Sequence, residues 1–99
     1  MSADLPIGVP YNISQYALLL HMVAQVTNMV PDEFIWSGGD VHIYLNQLEM
    51  IRTQTSRIPY KFPTVSLNPD IDNIFRFQYD DIEIQRYVSH APIAYAVNV

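Results

Sequence analysis

The chain has 99 residues, of which 49% are hydrophobic and 15% charged, with a formal net charge of −5 and no cysteine. This length predicts a single domain over residues 1–99. The absence of cysteine excludes disulfides, thiolate zinc sites and a cysteine nucleophile within these residues. The five basic residues are scattered, which argues against nucleic acid as a partner, and no signal peptide or membrane span is evident, so we predict a cytoplasmic protein.

The first predicted element is a helix within residues 10–30, "PYNISQYALLLHMVAQVTNMV". It lacks glycine and internal proline, and Pro31 follows it in a turn. Its apolar residues cover nearly the whole circumference, which is typical of a buried helix. We therefore expect the other elements of the chain to wrap it.

The remaining chain alternates between predicted strands and one further helix. "FIW" (34–36) and "DVHIY" (40–44) predict strand segments joined by a kink at two glycines. Apolar residues at helical spacing predict an amphipathic helix over 45–56. "TVSL" (64–67) predicts a strand and "NPDIDN" (68–73) a turn. The segment 74–88 alternates through Ile82 and Ile84, which predicts a strand with one solvated face.

The stretch Asp40-x-His42-x-Tyr44 places three polar side chains on one strand face, because residues two apart point the same way. Such groups lie about 6 to 7 Å apart along the strand, which suits two points of one small ligand. A simply solvated face is the alternative. The stretch offers only two side chains that could coordinate a metal, and two without a third do not make a metal site.

Asn12 lies where the first helix begins and has two interpretations. An asparagine at that place is often a helix cap. Its side-chain amide also offers one acceptor and two donors, which match the carbonyl and N–H edge of uracil. In the preceding "SAD" segment, Ser2 and Asp4 are either turn residues or groups that contact a ligand.

Four segments together resemble the C-terminal part of the thymidylate synthase family: "SAD…IGVPYNISQYALLLHMVAQ", "DEFIWSGGDVHIYLNQ", "TQTSRIP" and "IFRFQYDDIEI". They occur in the family's order and cover essentially the whole chain. The resemblance implies an α+β fold, with a mixed sheet packed on a long buried helix plus an amphipathic helix. It also implies a homodimer that converts dUMP to dTMP with 5,10-methylenetetrahydrofolate.

The resemblance also implies roles for particular residues. Asn12 matches the family asparagine that reads the uracil edge. His42 and Tyr44 match the pair that holds the deoxyribose hydroxyl, and Ser2 matches a serine at the nucleotide phosphate. On the folate side, Asp4 matches the aspartate that bonds the folate ring.

Gly8 matches the glycine whose backbone approaches the folate, and other positions depart from the family pattern. Met1 stands where the family has a phosphate-binding arginine, and Gln15 where it has a small residue. Tyr11 replaces a usual Phe, and the tail "IAYAVNV" replaces an ending close to I-K-A-P-V-A-V. The nucleophilic cysteine in its Pro-Cys-His setting would precede this chain, so we expect no turnover by the chain alone.

Three functional hypotheses follow from the resemblance. The first is the C-terminal portion of a thymidylate synthase, with a missing N-terminal half or an intact synthase subunit as partner. The second is a dUMP hydroxymethylase of the same superfamily, for which Asn12 favours uracil over cytosine. The third is a non-catalytic remnant that binds nucleotide or another subunit.

Overall fold

A computed structural model describes residues 2–98. The departure from the family pattern at Met1 and the last residue of the tail, Val99, therefore lie outside the described residues. Residues 2–98 combine two α-helices with four short strands, which confirms the predicted α+β class. The elements in chain order are β1 (Ser2–Asp4), α1 (Gly8–Val26), β2 (Asp40–His42), α2 (Leu48–Thr55), β3 (Thr64–Leu67) and β4 (Ile82–Gln85).

The four described strands form two separate pairs. β1 and β2 run parallel, although 35 residues including α1 lie between them, with Ala3 opposite Val41. β3 and β4 form an antiparallel pair in which Leu67 lies opposite Ile82. Within residues 2–98 the expected mixed sheet is therefore present as two two-stranded pieces.

Local chemistry explains where α1 begins and ends. The Oδ1 atom of Asp4 accepts a hydrogen bond of 3.3 Å from the Ile7 backbone N–H, just before the first helical residue, Gly8. At the other end, Asn28 adopts a φ of 57°, the left-handed conformation common after a helix. Met29 N then donates to the Ala24 carbonyl at 2.8 Å, which satisfies a carbonyl of the last turn.

The prediction that α1 is wrapped by the rest of this chain is wrong. Among the described apolar residues only Val9 and Ala24 are buried, whereas Tyr16, Leu19 and Val23 remain 42–54% exposed along one side of the helix. The chain exposes 8243 Å², whereas a compact protein of its mass exposes about 5,800 Å². Its radius of gyration is 16.3 Å, against about 13 Å for a compact domain of 100 residues.

Three sequence predictions about the strands need correction. Residues 34–36 are not a strand, and the chain there folds so that a side chain at Gly38 would overlap the Trp36 ring and Val41. The segment 74–81 forms two 3₁₀ turns, and the strand begins only at Ile82. Ile84, expected to face a core, is 63% exposed.

A small polar cluster replaces the expected strand before β4. Asn68 Nδ2 donates to Asp81 Oδ1 at 2.8 Å, and the Gln78 backbone N–H donates to Asp81 Oδ2 at 2.7 Å. These hydrogen bonds, that of the Asn68 side chain foremost, hold the pKa of the Asp81 carboxyl below its ordinary value. The carboxylate thus organises the 3₁₀ turn that leads into β4.

No helix among residues 2–98 is long and apolar enough to cross a membrane.

Candidate functional site

The pairing of β1 with β2 brings together two groups of predicted site residues that are far apart in sequence. Ser2 lies opposite Asp40 and Asp4 lies opposite His42. Leu5 N also donates to the His42 carbonyl at 3.0 Å, so the pairing continues one residue past β1. Because the strands are parallel, Asp4 and His42 both lie at the edge from which the chain leaves towards α1 and α2.

Asp40, His42 and Tyr44 share one face, as the alternation predicts. Asp40 Oδ1 lies 3.6 Å from His42 Nδ1. The rings of His42 and Tyr44 meet edge to face, with their centroids 4.9 Å apart. Asp40 is more exposed than His42, because 71% of the Asp40 side chain is accessible to solvent against 29% of the His42 side chain. His42 and Tyr44 are therefore held against each other, whereas Asp40 contributes a solvated charge at the edge of the row.

Asp4 and Asn12 both lie close to Gly8, where β1 leads into α1. A Cβ atom added to Gly8 would stand 3.8 Å from Asp4 Cβ and 4.0 Å from Asn12 Oδ1. The glycine therefore leaves its backbone open between a carboxylate and an amide. Asn12 is exposed and lies inside the helix, four residues after its first residue. Its interpretation as a helix cap is therefore wrong, and its amide remains available to a ligand.

Ser2 is exposed and lies at the opposite end of β1 from Gly8. Among the positions that depart from the family pattern, Gln15 and Tyr11 are both exposed on α1, and Tyr11 reaches 76% exposure. The structure therefore does not bring Ser2 directly beside Gly8, although both flank Asp4 along the chain.

Gln47 is a residue that the sequence analysis did not single out. It follows Tyr44 in a 3₁₀ turn (Leu45–Gln47), and its side chain is completely buried, whereas neighbouring Leu45 is 85% exposed. Gln47 Nε2 donates to Asp4 Oδ2 at 3.2 Å, and Gln47 Oε1 accepts from the Tyr44 backbone N–H at 3.0 Å. The helical pattern gave no signal for this, because it assigned Leu45 to the buried face.

An open cleft of about 780 Å³ is lined by chain neighbours of Gly8 and Asn12, although none of the predicted site residues lines it. Ile7, just before α1, and Tyr11, in its first turn, contribute to the wall of the cleft. Residues within 57–60 and 87–97 supply most of the remainder. The rings of Tyr60 and His90 stack with centroids 4.4 Å apart, and Arg57 Nη1 donates to the Ala91 carbonyl at 2.6 Å. The cleft is mostly apolar at its helix side, with aromatic rings that offer flat surfaces to a planar ligand.

Comparisons with known proteins identify the family to which this chain belongs. The family model described as thymidylate synthase matches residues 1–99. Among solved structures, the thermostable thymidylate synthase A from Bacillus subtilis superposes with a TM-score of 0.93 at 30% sequence identity. The match covers 97% of this chain and 34% of that protein, so the chain spans about a third of the length of that enzyme. From the match over its whole length and the agreement in fold, this chain belongs to the thymidylate synthase family.

Proposed function

We propose that this chain is the C-terminal portion of a thymidylate synthase, which methylates dUMP to dTMP with 5,10-methylenetetrahydrofolate. The observation that carries the proposal is the parallel pairing of β1 with β2, which sets Asp4 beside His42. Gly8 and Asn12 continue from Asp4, and Tyr44 continues from His42. Groups for a pyrimidine, a sugar and a folate ring thus come from two chain segments that meet at one place.

On the nucleotide side, Asn12 reads the edge of the base, and His42 and Tyr44 hold the sugar hydroxyl. An amide suits uracil because it donates to a carbonyl and accepts from the adjacent ring N–H at once. The edge-to-face contact of His42 with Tyr44 restricts both rings, which keeps their polar atoms directed at a fixed point. Ser2 contributes a hydroxyl for a phosphate oxygen.

On the folate side, Asp4 accepts from a ring N–H of methylenetetrahydrofolate, and the open backbone at Gly8 allows the ring to approach. The neighbouring cleft supplies aromatic walls for the remainder of that molecule. Methylenetetrahydrofolate supplies the one-carbon unit. The residues of this chain bind and orient, and a cysteine nucleophile comes from outside residues 1–99, because none of these residues is cysteine.

The exposed side of α1 supports a partner that completes the fold. Tyr16, Leu19 and Val23 recur every three to four residues, which makes a continuous apolar stripe along the helix. An exposed stripe of this kind marks a surface that meets other protein. We infer that the preceding part of a synthase covers it and that the complete assembly is a homodimer.

Complementation tests the proposal. Residues 1–99 are mixed with the preceding segment of a thymidylate synthase that carries the catalytic cysteine, and dTMP is measured after addition of dUMP and methylenetetrahydrofolate. The expected result is dTMP from the mixture and none from either part. Hydroxymethyl-dUMP as the product would identify the hydroxymethylase, and a folded mixture without any product would refute the synthase.

Two matched substitutions identify the site within that assay. Asp4→Asn removes a charged acceptor and is expected to raise the KM for the folate about tenfold or more. Asp32→Asn makes the same change at an exposed position after α1 and is expected to leave the KM unchanged. Equal effects of both substitutions would show that Asp4 acts only through the net charge of the chain.

A further inference from the structure

Gln47 is the one fully buried polar side chain among the described residues. Burying an amide is costly unless its donors and acceptor are all paired. Here the Nε2 atom donates to the Asp4 carboxylate at 3.2 Å and to the Ala96 carbonyl at 3.2 Å. The Oε1 atom accepts from Tyr44 N at 3.0 Å. Three separate segments of the chain therefore meet on one side chain.

These contacts connect the C-terminal segment to the proposed folate site. Asp4 ends β1, whereas Ala96 belongs to the tail whose sequence departs from the family ending. Since one nitrogen atom contacts both, a displacement of the tail withdraws a hydrogen-bond partner from the atom that also orients the Asp4 carboxylate. The position of the tail and the direction of the carboxylate are thus coupled through a single group.

The tail is attached to the same region at two further points. Asn98 and Asn46 exchange two side-chain hydrogen bonds of 3.0 and 3.1 Å. The Tyr95 hydroxyl donates to Gln54 Oε1 on α2 at 2.6 Å. Asn98 is one of the residues by which this tail differs from the family ending described above, and its amide provides an attachment that an apolar side chain lacks. These two contacts bring Ala96 within reach of Gln47.

We propose that Gln47 is a positioning residue of the folate site, because its amide fixes the Asp4 carboxylate and the C-terminal segment together. This inference rests on the proposed function, in which Asp4 binds methylenetetrahydrofolate. Gln47 touches neither substrate. It acts on the folate through Asp4 and through the tail.

The two ends of the amide allow a selective test. Gln47→Glu keeps an oxygen that accepts from Tyr44 N but replaces the donor to Asp4 and Ala96 with a second acceptor. In the reconstituted enzyme this variant is expected to raise the KM for methylenetetrahydrofolate ten- to a hundredfold, the range for a lost hydrogen bond to a charged group. The KM for dUMP is expected to stay within about twofold, because the donor side alone is changed. Gln47→Met, which removes both ends, serves as the second variant and is expected to raise both KM values.

Proteolysis of the full chain measures how firmly the C-terminal segment is held in place, and it requires no activity assay. Chymotrypsin cleavage after the half-buried Tyr95 is expected to accelerate in both Gln47 variants, relative to cleavage after the half-buried Phe77, which lies outside the tail. Gln25→Met is the matched control. Gln25 also spans two backbone carbonyls, those of Asn68 and Ile71, and its loss is expected to change neither the relative cleavage at Tyr95 nor either KM.

Each outcome decides the inference. A selective rise in the folate KM of Gln47→Glu, together with faster cleavage at Tyr95, supports it. Parallel changes in both KM values of that variant, or an unchanged rate at Tyr95, would overturn the inference and leave the proposed function standing. Absence of dTMP from the reconstituted wild-type protein would overturn the proposed function, and the assignment of Gln47 to a folate site with it.

Discussion

The large accessible surface of the chain predicts an unusual response to urea when residues 1–99 are studied alone. An unfolded chain of this mass exposes about 16,500 Å², and the folded chain still exposes 8243 Å². Folding therefore hides about half of the surface, whereas a compact domain of this length hides about two-thirds. Because the slope of the unfolding free energy against urea is proportional to newly exposed surface, the slope is expected to be about three-quarters of that for a compact 99-residue domain.

The assay is urea unfolding followed by circular dichroism, with sedimentation velocity at the same protein concentrations. Addition of the preceding synthase segment is expected to raise both the slope and the midpoint, because the stripe on α1 then becomes buried. A monomer that unfolds with the full slope of a compact domain would refute the reasoning. It would mean that the apolar faces close against each other within this chain.

Three further substitutions test local features of the structure. Val9→Ala is expected to cost about 1–3 kcal/mol of unfolding free energy, because Val9 is 3% exposed and the substitution removes two methyl groups from a packed site. As a control, Val30→Ala at a position that is 88% exposed is expected to cost under about 0.5 kcal/mol in the same urea titration. Gln25→Met removes hydrogen bonds of 2.9 and 2.8 Å to the Asn68 and Ile71 carbonyls and is expected to cost about 1–3 kcal/mol of unfolding free energy. A smaller loss would contradict a role of these bonds in holding the turn that follows β3. The pKa of Asp81 is lower in the folded chain than in the unfolded chain, so the ionised carboxylate stabilises the fold at a pH above the unfolded pKa of about 4, and this stability is lost as the pH falls through the folded pKa. Asp81→Asn is therefore expected to reduce the loss of unfolding free energy at acid pH. An unchanged loss at acid pH would exclude Asp81 as its source.

Local patterns predicted the elements whose residues carry their own signal. The helix α1 follows from its composition, and β3 follows from the β-branched Thr64 and Val65 in a short segment that ends at turn residues. The alternation of Asp40, His42 and Tyr44 correctly predicted a shared face, because the two-residue period of a strand is a local property. The resemblance to a family reached further, since it named Asp4, the partner of His42 in the strand pair.

Only the tertiary structure decided which surfaces are covered and which side chains meet. Nothing in the local sequence pairs residues 2–4 with residues 40–42, because that pairing depends on how α1 returns the chain. The apolar pattern also predicted a buried α1, whereas residues 2–98 leave one side of this helix exposed, and the pattern overlooked Gln47. A polar residue looks solvated in a sequence, and its burial depends on Asp4, Tyr44 and Ala96, each supplied by a different part of the chain. Burial is a property of the neighbours, so it becomes visible only when the neighbours are in place.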